Sequence, residues 1–189
     1  MIKIGILGDI GSGKSYVANA FGYPVFNADK EVVKLYNKDK KIYYKLKKIL
    51  PKYFGSFPIN KKEVINAILD KNSNLKKIVK IIHLEIKKKM NIFLKKNKNK
   101  KIIILDVPLL LENKLNNKKD ILIFVQSKKS DVLKRLKKRD NFNNKVYKKF
   151  KNIQLPLDYK RNKSQFIIKN NFKKKDVNKS INNILKNIL

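Results

Sequence analysis

The stretch Gly8-Asp9-Ile10-Gly11-Ser12-Gly13-Lys14-Ser15 constrains this chain more than any other. It fits G-x-x-x-x-G-K-[ST] at every fixed position. An apolar run from Ile2 to Leu7 precedes it, and a helix-like stretch from Lys14 to about Phe21 follows. In that strand–turn–helix setting the motif has a physical job. Glycines let backbone N–H groups turn inward around phosphate oxygens. The helix N-terminus adds its partial positive charge. Gly8, Gly11, Ser12, Gly13, Lys14, Ser15 and Tyr16 are therefore the expected nucleotide contacts. Lys14 is placed to reach the β- and γ-phosphates of ATP, and the Ser15 hydroxyl to ligate its Mg²⁺. Asp9, an anion among phosphates, occupies a variable position of the motif and is expected to point outward.

The rest of the chain supplies the sheet that such a loop needs. Residues 101–107 (KIIILDV) and 121–125 (ILIFV) are near-continuous apolar runs, the pattern of parallel strands buried on both faces. Shorter runs at 24–26 and 165–168 add two more strands. Helical patterns at about 28–36, 130–139 (with Ser130 as N-cap) and 176–189 alternate with them. The expected fold is α/β, with a parallel sheet flanked by helices. Residues 38–98 interrupt that alternation. They are lysine-rich, with apolar residues at helical spacing such as Ile78, Ile82, Ile86 and Met90. We read them as an inserted helical subdomain within a single domain spanning 1–189, and about 135–150 as a lid.

Asp106 ends the strongest strand. A carboxylate at a strand's carboxyl end after four aliphatics suits magnesium, held directly or through water. The same position also suits an aspartate capping the turn before Pro108. Asp29 follows the second strand, where strand ends face the ligand crevice of an open α/β sheet. It is the candidate base for an acceptor hydroxyl; it also suits the cap of the next helix, and both roles are compatible. Arg135 and Arg139 lie four apart on one helix face. Arginine matches the spread charge of a transferring phosphoryl group; the alternative is a surface helix salt-bridged to Asp131 or Asp140. His83 lies on an apolar helical face and reads either as a packed residue or as a substrate contact.

Charge is the loudest compositional feature, with a formal net charge of +34. Of 48 basic residues only Arg135, Arg139 and Arg161 are arginine. Lysine, asparagine and isoleucine make up about half of the chain, and all three have A/T-rich codons. The charge is therefore spread over every surface. A nucleic-acid face would be clustered and arginine-rich, because arginine reads phosphate and guanine bidentately. No specific nucleic-acid partner is expected, only attraction of phosphate-bearing ligands. The chain has no cysteine, which excludes disulfides, thiolate metal sites and a cysteine nucleophile. No secretory h-region or run of 18 apolar residues stands out. The expectation is a cytoplasmic monomer without membrane contact. No N-K-x-D sequence for guanine recognition is present, so a small-molecule phosphoryl transferase fits best.

These residues resemble the dephospho-CoA kinase family from end to end. The matching segments are GILGDIGSGKS, FNAD at 26–29, IN at 59–60, DVPLLLE at 106–112, R-x-x-x-R at 135–139, Gln154 with Pro156, and FIIKNN at 166–171. The PLLLE stretch and the Ala28-Asp29 pair separate this family from other P-loop kinases. The resemblance implies a nucleotide-kinase core with an inserted acceptor-binding subdomain and a lid. It implies transfer from ATP, with Mg²⁺, to the ribose 3′-hydroxyl of dephospho-CoA, giving coenzyme A and ADP. It makes Asp29 the catalytic aspartate, Lys14 and Ser15 the phosphate and magnesium residues, and Arg135 and Arg139 the lid arginines. It places Asn170 near the adenine pocket and His83 at the acceptor. Three positions depart from the family: Asn27 where aspartate is frequent, Lys61 where arginine is expected, and Leu84 where proline follows the histidine. The alternative reading is another small P-loop kinase, for a nucleoside monophosphate or shikimate.

Overall fold

The computed structural model describes residues 1–138 and 142–189. Arg139 and Asp140, and with them part of the expected lid, lie outside the described residues. Contacts divide the chain into two compact units.

The first unit comprises Met1–Asn27, Leu94–Phe142 and Gln154–Leu189. Its centre is a five-stranded sheet in the order β2-β3-β1-β4-β5. The strands are β1 (Ile2–Gly8), β2 (Val25–Asn27), β3 (Ile102–Asp106), β4 (Ile121–Gln126) and β5 (Phe166–Lys169). Every pairing is parallel, as the apolar runs predict. All five residues of β3 are buried, because helices cover both faces of a parallel sheet and leave no solvated side. Helix α1 (Lys14–Ala20) and the C-terminal α9 (Lys174–Ile188) pack here. Val17, Ala18, Val177, Ile181 and Ile184 join Ile4, Ile6, Ile104 and Ile123 in one core. Helices α6 (Lys129–Lys137) and α8 (Leu157–Asn162) complete the unit.

Two local expectations change. The residue before α6 is Lys128 and no side chain caps it, so Ser130 lies inside the first turn instead of capping it. The sequence patterning also misses α8 and α7 (Asn144–Asn152). Helix α8 has six residues, of which Lys160 is buried, and α7 buries none. Neither offers the buried apolar stripe on which a periodicity argument depends.

The second unit comprises Ala28–Phe93 and Asn143–Ile153. It holds α2 (Ala28–Lys38), α3 (Lys40–Ile49), α4 (Lys61–Asp70), α7 and most of α5 (Asn72–Lys96). Three of these helices begin or pack for a legible reason. Asp39 accepts from Lys41 N (2.9 Å) and Ile42 N (3.1 Å) and so caps α3. Asn60 and Glu63 form a reciprocal capping box at α4. Ile78, Ile82, Ile86 and Met90 form the buried stripe of α5. The peptide between Phe57 and Pro58 is cis.

Candidate active site

The phosphate-binding loop grows directly out of β1. Gly11 and Gly13 adopt φ of 83° and 88°, a left-handed conformation that side chains rarely take. A Cβ on Gly13 would also run into the Asn170 amide. Lys14 folds back over the loop: its Nζ donates to the Asp9 carbonyl at 2.7 Å and to the Gly8 carbonyl at 3.2 Å. The Asp9 carboxylate accepts from Ile10 N at 2.7 Å. Ser15 and Tyr16 are exposed at the start of α1, whereas Ser12 is buried.

Asp106 ends β3, the neighbour of β1, so its carboxylate and the loop share one edge of the parallel sheet. The side chain is buried. Its Oδ2 accepts a 2.6 Å hydrogen bond from Asn27 Nδ2, its register partner at the end of β2. An aspartate at position 27 would set a second carboxylate against Asp106. Asparagine instead donates to it, and so fixes the Asp106 side chain without adding negative charge. Among the described residues no cluster of three or more His, Cys, Asp or Glu could hold a metal alone. A single carboxylate with a serine hydroxyl is the sparse, hard-oxygen set that suits magnesium when phosphates and water supply its other ligands.

Arg135 lies on α6 with its guanidinium 4.0 Å from the centre of the Phe172 ring, a cation–π contact. Phe172 itself has φ of 63°. Its backbone N–H donates to Asn170 Oδ1 at 2.9 Å. Asn170 is buried immediately after β5, and its amide also donates to the Ser12 carbonyl at 2.9 Å. Ser127, immediately after β4, donates to the same carbonyl at 2.9 Å.

The PLLLE segment has a structural anchor. Glu112 Oε1 accepts from Lys160 Nζ at 2.6 Å and from Leu155 N at 3.0 Å. Both side chains are buried, which makes this an ion pair in a dry setting and fastens the 107–112 turn to α8.

Asp29 and His83 belong to the second unit. Helix α2 begins at Ala28, so Asp29 stands within its first turn, exposed, and does not occupy the cap position. A carboxylate there meets the positive end of the helix dipole. His83 is half-buried on α5, beside the buried stripe. Tyr36 of α2 has its phenol pushed up to about 12 by burial.

Sequence reasoning missed three residues of this arrangement. Ser127 carried a usable signal, since it is the polar residue at a strand's carboxyl end. Phe172 carried none. Lys160 was invisible among so many lysines.

Comparisons with known proteins agree with this geometry. The family model described as "Dephospho-CoA kinase" matches residues 2–176. A dephospho-CoA kinase of Rickettsia bellii is 31% identical, covering 100% of this chain and 98% of its own. One from Wolbachia sp. subsp. Brugia malayi is 33% identical, covering 96% of this chain and 95% of its own. The solved dephospho-CoA kinase from Campylobacter jejuni shares the fold, with a TM-score of 0.63 and 21% identity, over 98% of this chain and 96% of that one.

Proposed function

The chain belongs to the dephospho-CoA kinase family, and from that premise we propose how its residues perform the transfer. It is a P-loop kinase of coenzyme A synthesis that phosphorylates the ribose 3′-hydroxyl of dephospho-CoA, giving coenzyme A and ADP. The observation that carries the site assignment is the sharing of one sheet edge by the phosphate-binding loop and Asp106.

The nucleotide's phosphates bind the loop from Gly8 to Ser15, against the N-terminus of α1. The Lys14 ammonium, parked on the Gly8 and Asp9 carbonyls, swings to the β- and γ-phosphates and balances their charge. Ser15 and Asp106 would hold Mg²⁺, which neutralises phosphate charge when bound. Asn27 keeps Asp106 in one rotamer and leaves Oδ1 for that purpose. Asp29 accepts the proton of the acceptor hydroxyl as its oxygen attacks the γ-phosphorus. Arg135, with Arg139, offsets charge on the transferring group. The helices of the second unit take the acceptor, with His83 among its contacts, and the chain works as a monomer. No helix among the described residues is long and apolar enough to cross a membrane.

The test is product analysis. The chain is incubated with ATP, Mg²⁺ and dephospho-CoA, and the product is examined by phosphorus NMR. A new monoester signal at the ribose 3′ position, matching coenzyme A, is expected. Phosphorylation of a nucleoside monophosphate or shikimate in preference to dephospho-CoA would overturn the reading.

A further inference from the structure

Ser127 and Asn170 converge on one atom, the carbonyl oxygen of Ser12. They are 115 and 158 residues from it in sequence. Each is the first residue beyond a strand, Ser127 after β4 and Asn170 after β5. The two strand ends are themselves joined, since Asn170 N donates to the Gln126 carbonyl at 2.7 Å. The only cis peptide among the described residues joins Phe57 to Pro58, so the peptide between Ser12 and Gly13 is trans. In a trans peptide the C=O and N–H point in opposite directions across one rigid plane. Two donors on the Ser12 oxygen therefore aim the Gly13 N–H away from β4 and β5.

We infer that Ser127 and Asn170 are positioning residues for the phosphate-binding loop, clamping the Ser12–Gly13 peptide so that the Gly13 N–H faces the nucleotide phosphates. The need is specific to this loop. Gly11 and Gly13 both sit at positive φ and flank Ser12, and glycine gives the backbone little resistance to rotation. An unclamped Ser12–Gly13 plane could turn its carbonyl toward the phosphates, replacing a donor with an acceptor. Asn170 also fills the space that a Gly13 side chain would take. Its carbonyl oxygen is engaged by Phe172 N. One amide N–H and the carbonyl oxygen of the side chain are thus both committed to the loop and the residue that flanks it. This inference rests on the kinase reading only for the identity of the nucleotide.

Binding of Mg-ATP and of Mg-tripolyphosphate to the full chain, measured by calorimetry without acceptor, separates the possibilities. Ser127→Ala should weaken both ligands alike, by about threefold to tenfold for one neutral hydrogen bond. Ser127→Thr, which keeps the hydroxyl, should restore both. Asn170→Ala should weaken both ligands and leave the preference for ATP over GTP unchanged. In turnover, Ser127→Ala should raise KM for ATP and leave KM for dephospho-CoA in place. Equal affinity of Ser127→Ala and wild type for both ligands would overturn the inference. So would an Asn170→Ala variant that keeps tripolyphosphate affinity but loses ATP preference, because that marks a base-reading residue. Ser127→Ala carries the test alone where Asn170→Ala fails to fold. If the chain ignored dephospho-CoA altogether, the functional reading would fall while these nucleotide measurements stood.

Discussion

The two units hold their polar side chains in different ways. In the first, short side chains fixed by burial or by the sheet tie distant strand ends together: Asn27 to Asp106, Ser127 and Asn170 to Ser12. In the second, most polar links are local, such as the Asp39 cap and the Asn60–Glu63 box. Its longer-range links run through the tips of longer side chains: Lys149 to the Leu69 carbonyl at 3.2 Å, Lys89 to Glu31 at 3.8 Å, and the hydroxyls of Tyr43 to the Gly55 carbonyl at 3.0 Å and of Tyr53 to Asp70. A lysine tip ends a flexible stem and fixes geometry poorly. The loop of the first unit is thus held by short side chains, and the helical unit by apolar stripes, caps and the tips of longer side chains. A loop that must present backbone N–H groups within hydrogen-bond distance needs the first arrangement; the helices proposed to take the acceptor can use the second.

Lys160 provides the hardest test of that contrast, since it is a lysine with a fixed buried job. Lys160→Met leaves Glu112 buried and unpaired, and should destabilise the chain by about 3–5 kcal/mol in urea unfolding. The double variant Glu112→Leu with Lys160→Met should recover most of the loss, because paired apolar replacement is often near neutral. A single variant as stable as wild type would put Lys160 with the exposed lysines. Next comes Lys14→Ala. It should lower kcat by about 10²–10³-fold, the scale for removing one charge-stabilising donor, with an unfolding midpoint close to wild type. A drop confined to KM would mean that the ammonium binds ground state and transition state equally.

Asp39→Ala addresses the second unit, where one cap should be worth about 1 kcal/mol. Its urea midpoint should fall while KM for ATP stays constant. The smallest effect concerns Tyr36. Its folded pKa lies above the ordinary value, at about 12 against 10. The neutral phenol therefore favours the fold below pH 10, and that contribution is lost as pH rises toward about 12. Tyr36→Phe should flatten this part of the alkaline stability curve. An unchanged curve would place the phenol in solvent.

The same contrast governs what could be read from the sequence. The parallel sheet was legible because β3 and the middle of β4 are buried and consist of near-continuous apolar runs. The loop was legible because its chemistry is local: eight consecutive residues carry it. Asp106 was legible from its place at a strand end. Ser127 and the Glu112–Lys160 pair were not, because each acquires its meaning only from a partner brought in by the sheet. Helices α7 and α8 escaped because neither buries an apolar stripe. In a chain where lysine covers nearly every surface, a buried lysine leaves no compositional trace.

Asp29, the second residue of the second unit, carries the proposed role of base. The most direct test is ADP release with ATP, Mg²⁺ and dephospho-CoA, comparing wild type with Asp29→Asn. Robust wild-type turnover is expected, with a loss in kcat of about 10²–10⁴-fold in the variant, the range for removing a general base, and affinity for ATP retained. Turnover that survives the substitution would contradict that role and reduce Asp29 to a first-turn carboxylate of α2.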